Sequence, residues 1–274
     1  MFSATLWAYW PWCLGYVVVA AAIFIGLRRT SSTDERAASL AVEPHNFGSP
    51  TTLAHAAFEF FRFRCPMMLL SLVVIAFSVR LAVPEWSYLD ALVVLGIVGF
   101  WPVQEWVIHV FLLHLKPFSL LGRQFDPIVS RNHRNHHRDP WNAELGITPP
   151  HMIWLYLAGL PAVWLLFLPL PLALTGVATY FSLVLNYEWL HFLIHTSYVP
   201  RTALYRRLWR NHRLHHFKNE HYWYGVTMLS GDQLFQTQPS AQQTPRSETC
   251  LTLGVENQLS DWTEPAAPEV VEAS

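Results

Sequence analysis

Fourteen histidines stand in this chain of 274 residues, and ten of them fall into four compact groups. "EWVIHVFLLHL" holds His109 and His114 as an H-x4-H pair, and "RNHRNHHRDPWN" holds His133, His136 and His137 as an H-x-x-H-H triple. "NYEWLHFLIHT" holds the H-x3-H pair His191 and His195, and "RNHRLHHFKNEH" repeats the triple as His212, His215 and His216. Neutral imidazole is a ligand for divalent transition metals. On an α-helix, positions i, i+3 and i+4 share a face, so each triple is expected to converge on a single point, and His191 and His195 to share one metal or flank two. His109 and His114 are less comfortable, because five α-helical steps leave their rings roughly 140° apart. A local π-bulge would accommodate them, as would a place between two metals. Ten imidazoles suit two metals with about five ligands each, whereas one zinc takes about four and leaves most of them unused. A plainer reading of the triples is a basic face for lipid headgroups, since Arg131, Arg134, Arg138, Arg210 and Arg213 sit among them. That reading does not explain paired histidines at the ends of membrane helices, where a polar group is costly and by default functional. His45, His55 and His151 lack such context and read as bystanders, and His221, five residues past His216, is intermediate.

The elements that must position these groups are membrane helices. Hydrophobic residues make up 52% of the chain and charged ones only 14%, well under the ~25% of an ordinary soluble domain. Apolar runs long enough to span a bilayer lie at about Thr5 to Leu27, Pro66 to Val83, Tyr88 to Leu115, Met152 to Leu168 and Pro171 to His195. The last two are joined by the "PLPL" turn as a tight hairpin. With five alternating crossings, residues 28–65, 116–150 and 196–274 fall on one side and carry every Lys and Arg except Arg80. The positive-inside rule makes that side cytoplasmic. The expected fold is all-α: a polytopic membrane bundle of about five helices, whose cytoplasmic helical cap holds a histidine-ligated di-metal site. Residues 1–65 read as a first membrane helix and a cytoplasmic linker, 66–235 as the catalytic membrane domain, and 236–274 as a disordered acidic tail. From Gln236 onward six acids face one arginine, a net of −5, so the net −1 of the whole chain conceals +4 on residues 1–235. No basic, aromatic-interleaved groove suggests nucleic acid. Cys13, Cys65 and Cys250 have no C-x-x-C spacing, so neither a disulfide framework nor a thiolate metal site is indicated.

The ordered array of pairs and triples after membrane spans resembles the fatty acid hydroxylase, or sterol desaturase, superfamily of membrane-bound non-haem di-metal oxygenases. The resemblance covers about Met67 to Thr237 and places ten residues in order. Its opening H-x4-H pair, and the long interval from the first triple to the second pair, are most similar to fatty acid 2-hydroxylases. "YGVTMLSGDQLFQT", Tyr224 to Thr237, resembles the family's terminal "GVT…WD…FGT" segment, with Gly231 in place of the usual Trp and Gln236 in place of the Gly.

The resemblance implies O2-dependent oxidation of an unactivated C–H bond. Zinc has no redox chemistry, while imidazole ligation suits iron, so the expected cofactor is two iron ions on the ten histidines; zinc can substitute during purification because it binds such sites more tightly than ferrous iron. Neutral ligands leave the metal charge uncompensated. Glu105, four residues before His109, and Glu188, three before His191, are therefore expected to accept imidazole N–H bonds, with Asp232 as a weaker third. Solvated interfacial acids are the alternative reading of both glutamates. A metal site at the membrane surface suits a membrane lipid, and Trp101, Trp106, Trp189, Trp209 and Trp223 either line the lipid's route or form an interfacial belt. No "HPGG" haem motif, flavin fingerprint or ferredoxin-type cysteine run is present, so a separate electron-transfer protein is implied, docking on the basic face. A desaturase, sterol-modifying oxidase or carotenoid hydroxylase would use the same metal site, and a metal transporter or sensor is the non-enzyme alternative. Without an ER-retention signal or a fused haem domain, a bacterial inner membrane is the expected location.

Overall fold

The computed structural model describes residues 50–153 and 160–255. Helix α1 (Leu53–Phe60) is capped by the Thr52 hydroxyl, which accepts the His55 N–H. It leads into α2 (Arg64–Ala82) and then α3 (Tyr88–Val107), which Ser87 and Asp90 open with a reciprocal capping box. A π-helix (Ile108–Leu113) continues α3. A two-stranded hairpin follows, β1 (Phe118–Leu120) with β2 (Arg123–Phe125), so the fold is not wholly helical. Its two-residue turn, Leu121 and Gly122, has φ of 51° and 74°, the twist that antiparallel strands favour. Next come α4 (Ile128–Arg138), the short α5 (Ala143–Gly146), a 3-10 turn (Pro150–Met152), α6 (Leu160–Phe167), α7 (Leu170–Ile194), α8 (Ala203–Phe217) and α9 (Ser230–Leu234).

Helix α7 is the central post, with α2, α3 and α6 packed along it and α8 against its end. Phe60 of α1 is fully buried against Trp189 and Phe192 of α7, with ring centroids 5.2 and 5.4 Å away. Val177, Phe181 and Val184 carry the same core along the post. The outer faces of α2 and α3 leave large apolar side chains exposed, among them Ile75, Leu81, Leu92 and Leu95. Outward apolar surface of that kind fits a lipid solvent. Three described helices are long and apolar enough to cross a membrane: α2, α3 with its π continuation, and α7. They match the second, third and fifth expected crossings. The first expected crossing lies outside the described residues, as do residues 154–159 of the fourth, of which the structure describes the eight-residue α6 and the turn into α7.

One buried network locks the bundle at the end remote from the histidines. Arg80, at the end of α2, pairs with Asp90 at the start of α3 (2.8 Å) and donates to Thr175 near the start of α7 (2.6 Å). Thr175 in turn donates to Asp90 at 2.5 Å, and the Arg80 guanidinium also serves the carbonyls of Val83 and Glu85 and lies 3.5 Å over the Trp86 ring. The C-terminus of α2 therefore meets the N-termini of α3 and α7, and the opposite ends of α3 and α7 come together at the histidines.

Residues 236–255 are folded, contrary to the expected disordered tail from Gln236; residues 256–274 lie outside the described residues. The segment has no periodic pattern because it forms turns held by side chains of the body, such as Trp223 Nε1 to Pro239 O (3.2 Å) and Asn219 Nδ2 to Pro245 O (3.2 Å).

Truncating Asp90 to Ala leaves the buried Arg80 without its countercharge and is expected to cost about 3–5 kcal/mol, whereas Thr175→Val should cost about 1 kcal/mol. Thermal unfolding of the purified protein in detergent measures both, and equal small losses would count against this lock.

Candidate metal centre

The ten histidines assemble at one end of the bundle as two groups of five, each with its ligand nitrogens within 4.8 Å of one another. Group A comprises His109, His114, His133, His137 and His215, and group B His136, His191, His195, His212 and His216. His137 and His216 stack across the boundary with ring centroids 4.1 Å apart, so the two groups abut.

Neither triple converges on one point. On α4 the i,i+4 pair His133 and His137 turns to group A and His136 to group B; on α8 the pair His212 and His216 turns to group B and His215 to group A. Helical geometry is the reason: residues four apart differ by about 40° around the axis, and the third member lies about 60° to the other side. Each triple-bearing helix thus serves both groups. The H-x3-H pair on α7 stays together in group B. The H-x4-H pair stays together in group A because the backbone there is π-helical, with His114 N–H bonded to the His109 carbonyl five residues back (3.1 Å). Ser130 Oγ, on α4, donates to the Leu112 carbonyl at 2.7 Å, fastening this helix end to the first triple.

Four rings are oriented by backbone carbonyls. Nδ1 of His109 lies 2.8 Å from Tyr224 O, of His215 2.8 Å from Tyr222 O, of His137 2.9 Å from Cys250 O and of His191 2.9 Å from Gly146 O. A carbonyl oxygen only accepts, so Nδ1 carries the proton and Nε2 keeps its lone pair. In His137 and His191 that Nε2 is buried with no hydrogen-bond partner, as are both ring nitrogens of His136 and Nδ1 of His212 and His216. Buried unpaired polar atoms are rare and costly. Three pairs of Nε2 atoms also face one another, His109 with His133 and His114 with His215 at 3.2 Å, and His212 with His216 at 3.0 Å. Two nitrogens bound at about 2.0–2.1 Å on perpendicular directions of one metal lie about 3.0 Å apart. The donor set therefore fits one metal ion per group. On α4 and α8, burial and neighbouring imidazoles hold His133, His136, His212, His215 and His216 well below the ordinary histidine value, and burial brings His137 down to about 3. All six are neutral near pH 7, the state that binds metal.

The three carboxylates brace loops beside the histidines. Glu105 is buried on hydrogen bonds from the Val226 and Thr227 amides, the Thr227 hydroxyl and Trp101 Nε1. Asp232 accepts from the amides of Tyr224 (2.9 Å) and Gly225 (2.8 Å), from Asn211 Nδ2 and from Thr237 Oγ1. These two brace the 222–227 segment, whose carbonyls orient His109 and His215, and neither bonds a histidine. Glu188 accepts the Thr148 amide (3.1 Å) and hydroxyl (2.5 Å), holding the loop that carries Gly146 O to His191. Backbone carbonyls are the acceptors of four of the rings, and the loops that carry three of them are tied down by these carboxylates. Gly231, where a Trp was expected, follows from close approach: a Cβ there would lie 2.4 Å from the Pro102 carbonyl of α3. Gly146, Tyr222, Tyr224 and Cys250 were not anticipated, since a backbone acceptor leaves no side-chain signature.

The arginines among the triples are largely structural, against the headgroup reading. Arg134 is fully buried with Asp126 and the Leu115 carbonyl, Arg213 donates to the Ile194 and Thr196 carbonyls at the end of α7, and Arg138 donates to Val255 O. Arg131 pairs with Asp126, and Arg210 is exposed. Of the five tryptophans, Trp101 lines the cavity described next, while Trp106 donates to Thr237, Trp189 packs in the core, Trp209 lies under Arg213 and Trp223 is buried. His221 is exposed beside Glu220, and His55 and His151 are also exposed, away from both groups; His45 lies outside the described residues.

An apolar cavity of about 520 Å³ runs between α3 and α7. Phe100, Ile108, Leu112, Tyr180 and Val184 line it, and it reaches His133 of group A together with His136 and His191 of group B.

Asp232→Ala and Glu188→Ala release the loops behind group A and group B respectively. Each is expected to weaken metal retention about 10–100-fold against a competing chelator while the protein still inserts and folds. Unchanged retention would count against the bracing roles.

The sequence of this chain matches the fatty acid hydroxylase family model over residues 93–237, a stretch that contains all ten grouped histidines. It is 28% identical over 161 residues to fatty acid 2-hydroxylase of Macaca fascicularis, an alignment that covers 57% of this chain and spans only 41% of that relative's length. The fold is similar to a solved structure titled full length scs7p with only the hydroxylase domain visible, with a TM-score of 0.57 and 26% identity over 67% of this chain and 68% of that one. With more than half its length inside the family match, and with the histidine order and the fold in agreement, this chain belongs to the fatty acid hydroxylase family.

Proposed function

We propose that this chain is a membrane-bound di-iron oxygenase that hydroxylates an acyl chain of a membrane lipid, using O2 and electrons from a separate donor. The observation that carries this reading is the apolar cavity between two membrane helices, which ends on histidines from both groups. An unbranched hydrocarbon fits such a slot, and a polar solute does not. When bound, an iron pair supplies the redox chemistry that activates O2, and His109, His114, His133, His137 and His215 would hold one ion and His136, His191, His195, His212 and His216 the other. Zinc in their place would leave the site without redox chemistry. The cavity walls of α3 and α7 confine the chain and exclude water from the reacting carbon. The fatty acid 2-hydroxylase relative favours a carbon near the carboxyl end, and so entry of the chain with its head near the histidines.

Electrons enter from outside the protein's own groups. Helix α8 turns His212, His215 and His216 inward and leaves Arg206, Arg207 and Arg210 exposed on its other face. That face is our choice for the docking site of an acidic electron-transfer protein, about one helix diameter from the ligands. With the basic segments in the cytoplasm, the metal centre faces the cytoplasmic side, in keeping with a bacterial inner membrane. A transporter would hold its ligands near mid-membrane along a path, whereas these gather at one end of the bundle. Desaturation, sterol oxidation and carotenoid hydroxylation differ only in substrate placement, so the test must read the product.

Lipid mass spectrometry of cells with and without the protein is expected to show one lipid class gaining a single oxygen atom, and the gain to disappear with His136→Ala. Loss of two hydrogens instead would make the chain a desaturase. Unchanged lipids with altered cellular iron or zinc would replace the enzyme reading with transport.

A further inference from the structure

The family match ends at residue 237, yet one of the carbonyls that orient group A comes from beyond it. Cys250 O accepts the Nδ1–H of His137, with N and O 2.9 Å apart, and Cys250 is itself buried. The segment around it is tied to each element that holds group A. At the end of α4, Arg138 donates to Val255 O (2.6 Å). Past the end of α8, Ser247 N–H bonds Lys218 O (2.7 Å), Asn219 bonds Pro245 O, and the Thr249 hydroxyl donates to the buried Glu220 at 2.5 Å. After the π-helix, Gly254 lies so close to Lys116 that a Cβ would meet its Nζ at 2.7 Å. Gly254 has φ of 70° and Leu253 of 51°, the turn that aims Val255 O at Arg138.

We infer that residues 238–255 form a strap that positions the group A ligands, with Cys250 O fixing the tautomer and direction of His137. The inference rests on the reading of the ten histidines as metal ligands. Without the strap, the ring of His137 loses the acceptor that keeps its bare Nε2 facing the other four imidazoles, and α4 and α8 lose their link on that side. In group B the carbonyl that orients His191 is Gly146 O, which comes from the loop after α5 and not from the strap. Loss of the strap should therefore fall first on the group A position, where His137 loses its acceptor directly.

The test compares the full chain, a chain ending at Val255 and a chain ending at Thr237, each purified in detergent and loaded with cobalt(II) as the probe. The readouts are cobalt per chain and the visible ligand-field spectrum. Two cobalt ions are expected in the first two chains and one in the third, with the loss of one spectral component. A full chain that binds no cobalt overturns the ligand reading itself. A full chain with two ions, and a Thr237-ended chain with two ions and the same spectrum, overturns the strap alone. So does a loss already present in the chain ending at Val255, which keeps each contact named above. If the shortest chain does not fold, Thr249→Val removes the hydroxyl's bonds to Glu220 and to Ser247 Oγ, both part of how the strap is held, and Thr249→Ser restores them. An altered spectrum in T249V that returns in T249S supports the strap, and an unaltered T249V spectrum overturns it.

Discussion

Ten imidazoles packed into two groups with their ligand nitrogens converging, and no carboxylate in either group, form an arrangement that protein alone does not stabilise. On α4 and α8 burial strips water from the rings and neighbouring rings oppose protonation, so these histidines do not relieve one another by taking up protons near neutral pH. Bare nitrogens such as Nε2 of His137 and His191 remain unsatisfied. A cation in each group resolves this at once, and much of the surrounding structure keeps the rings from turning away before it arrives. Carbonyls of Tyr222, Tyr224, Cys250 and Gly146 hold four rings; Asp232, Glu105 and Glu188 hold the loops that bring three of those carbonyls in.

The two groups are near mirror images in composition. Each takes an intact pair from the end of α3 or α7, two histidines from one of α4 and α8 and one from the other. The exchange follows from the H-x-x-H-H spacing, which on any α-helix sends its i,i+4 members one way and its i+3 member the other. Two such helices side by side must then serve two sites, and each site draws ligands from both helices. The Arg80–Asp90–Thr175 lock at the far end sets the spacing of α2, α3 and α7, and so of the pairs they deliver and of the cavity between α3 and α7.

The membrane class, three of the helices, the ten histidines and even the π-turn between His109 and His114 were legible from residue type and spacing. They depend on local chemistry, which periodicity records. The partition of the triples was also within reach of helical geometry, but counting them as sharing a face blurred a difference of about 60° that decides the site. Other features were not legible. A carbonyl such as Cys250 O is the same in every residue, and a segment such as 238–255, folded through single hydrogen bonds to Glu220, Lys218 and Arg138, carries the composition of a loop. The loop amides and hydroxyls that Glu105, Asp232 and Glu188 accept from were not legible, because which donors a buried acid meets depends on the tertiary fold. The same holds for Arg134 and Arg213, whose charges are spent on Asp126 and on the end of α7.

The central claim is that each five-imidazole group holds its own metal ion. Anomalous diffraction at the iron edge, on crystals of the protein produced with iron, tests it most directly. The account predicts two peaks per chain, one inside group A and one inside group B, each ringed by histidine nitrogens alone. A single peak shared between the groups, or iron bound away from them, would contradict it.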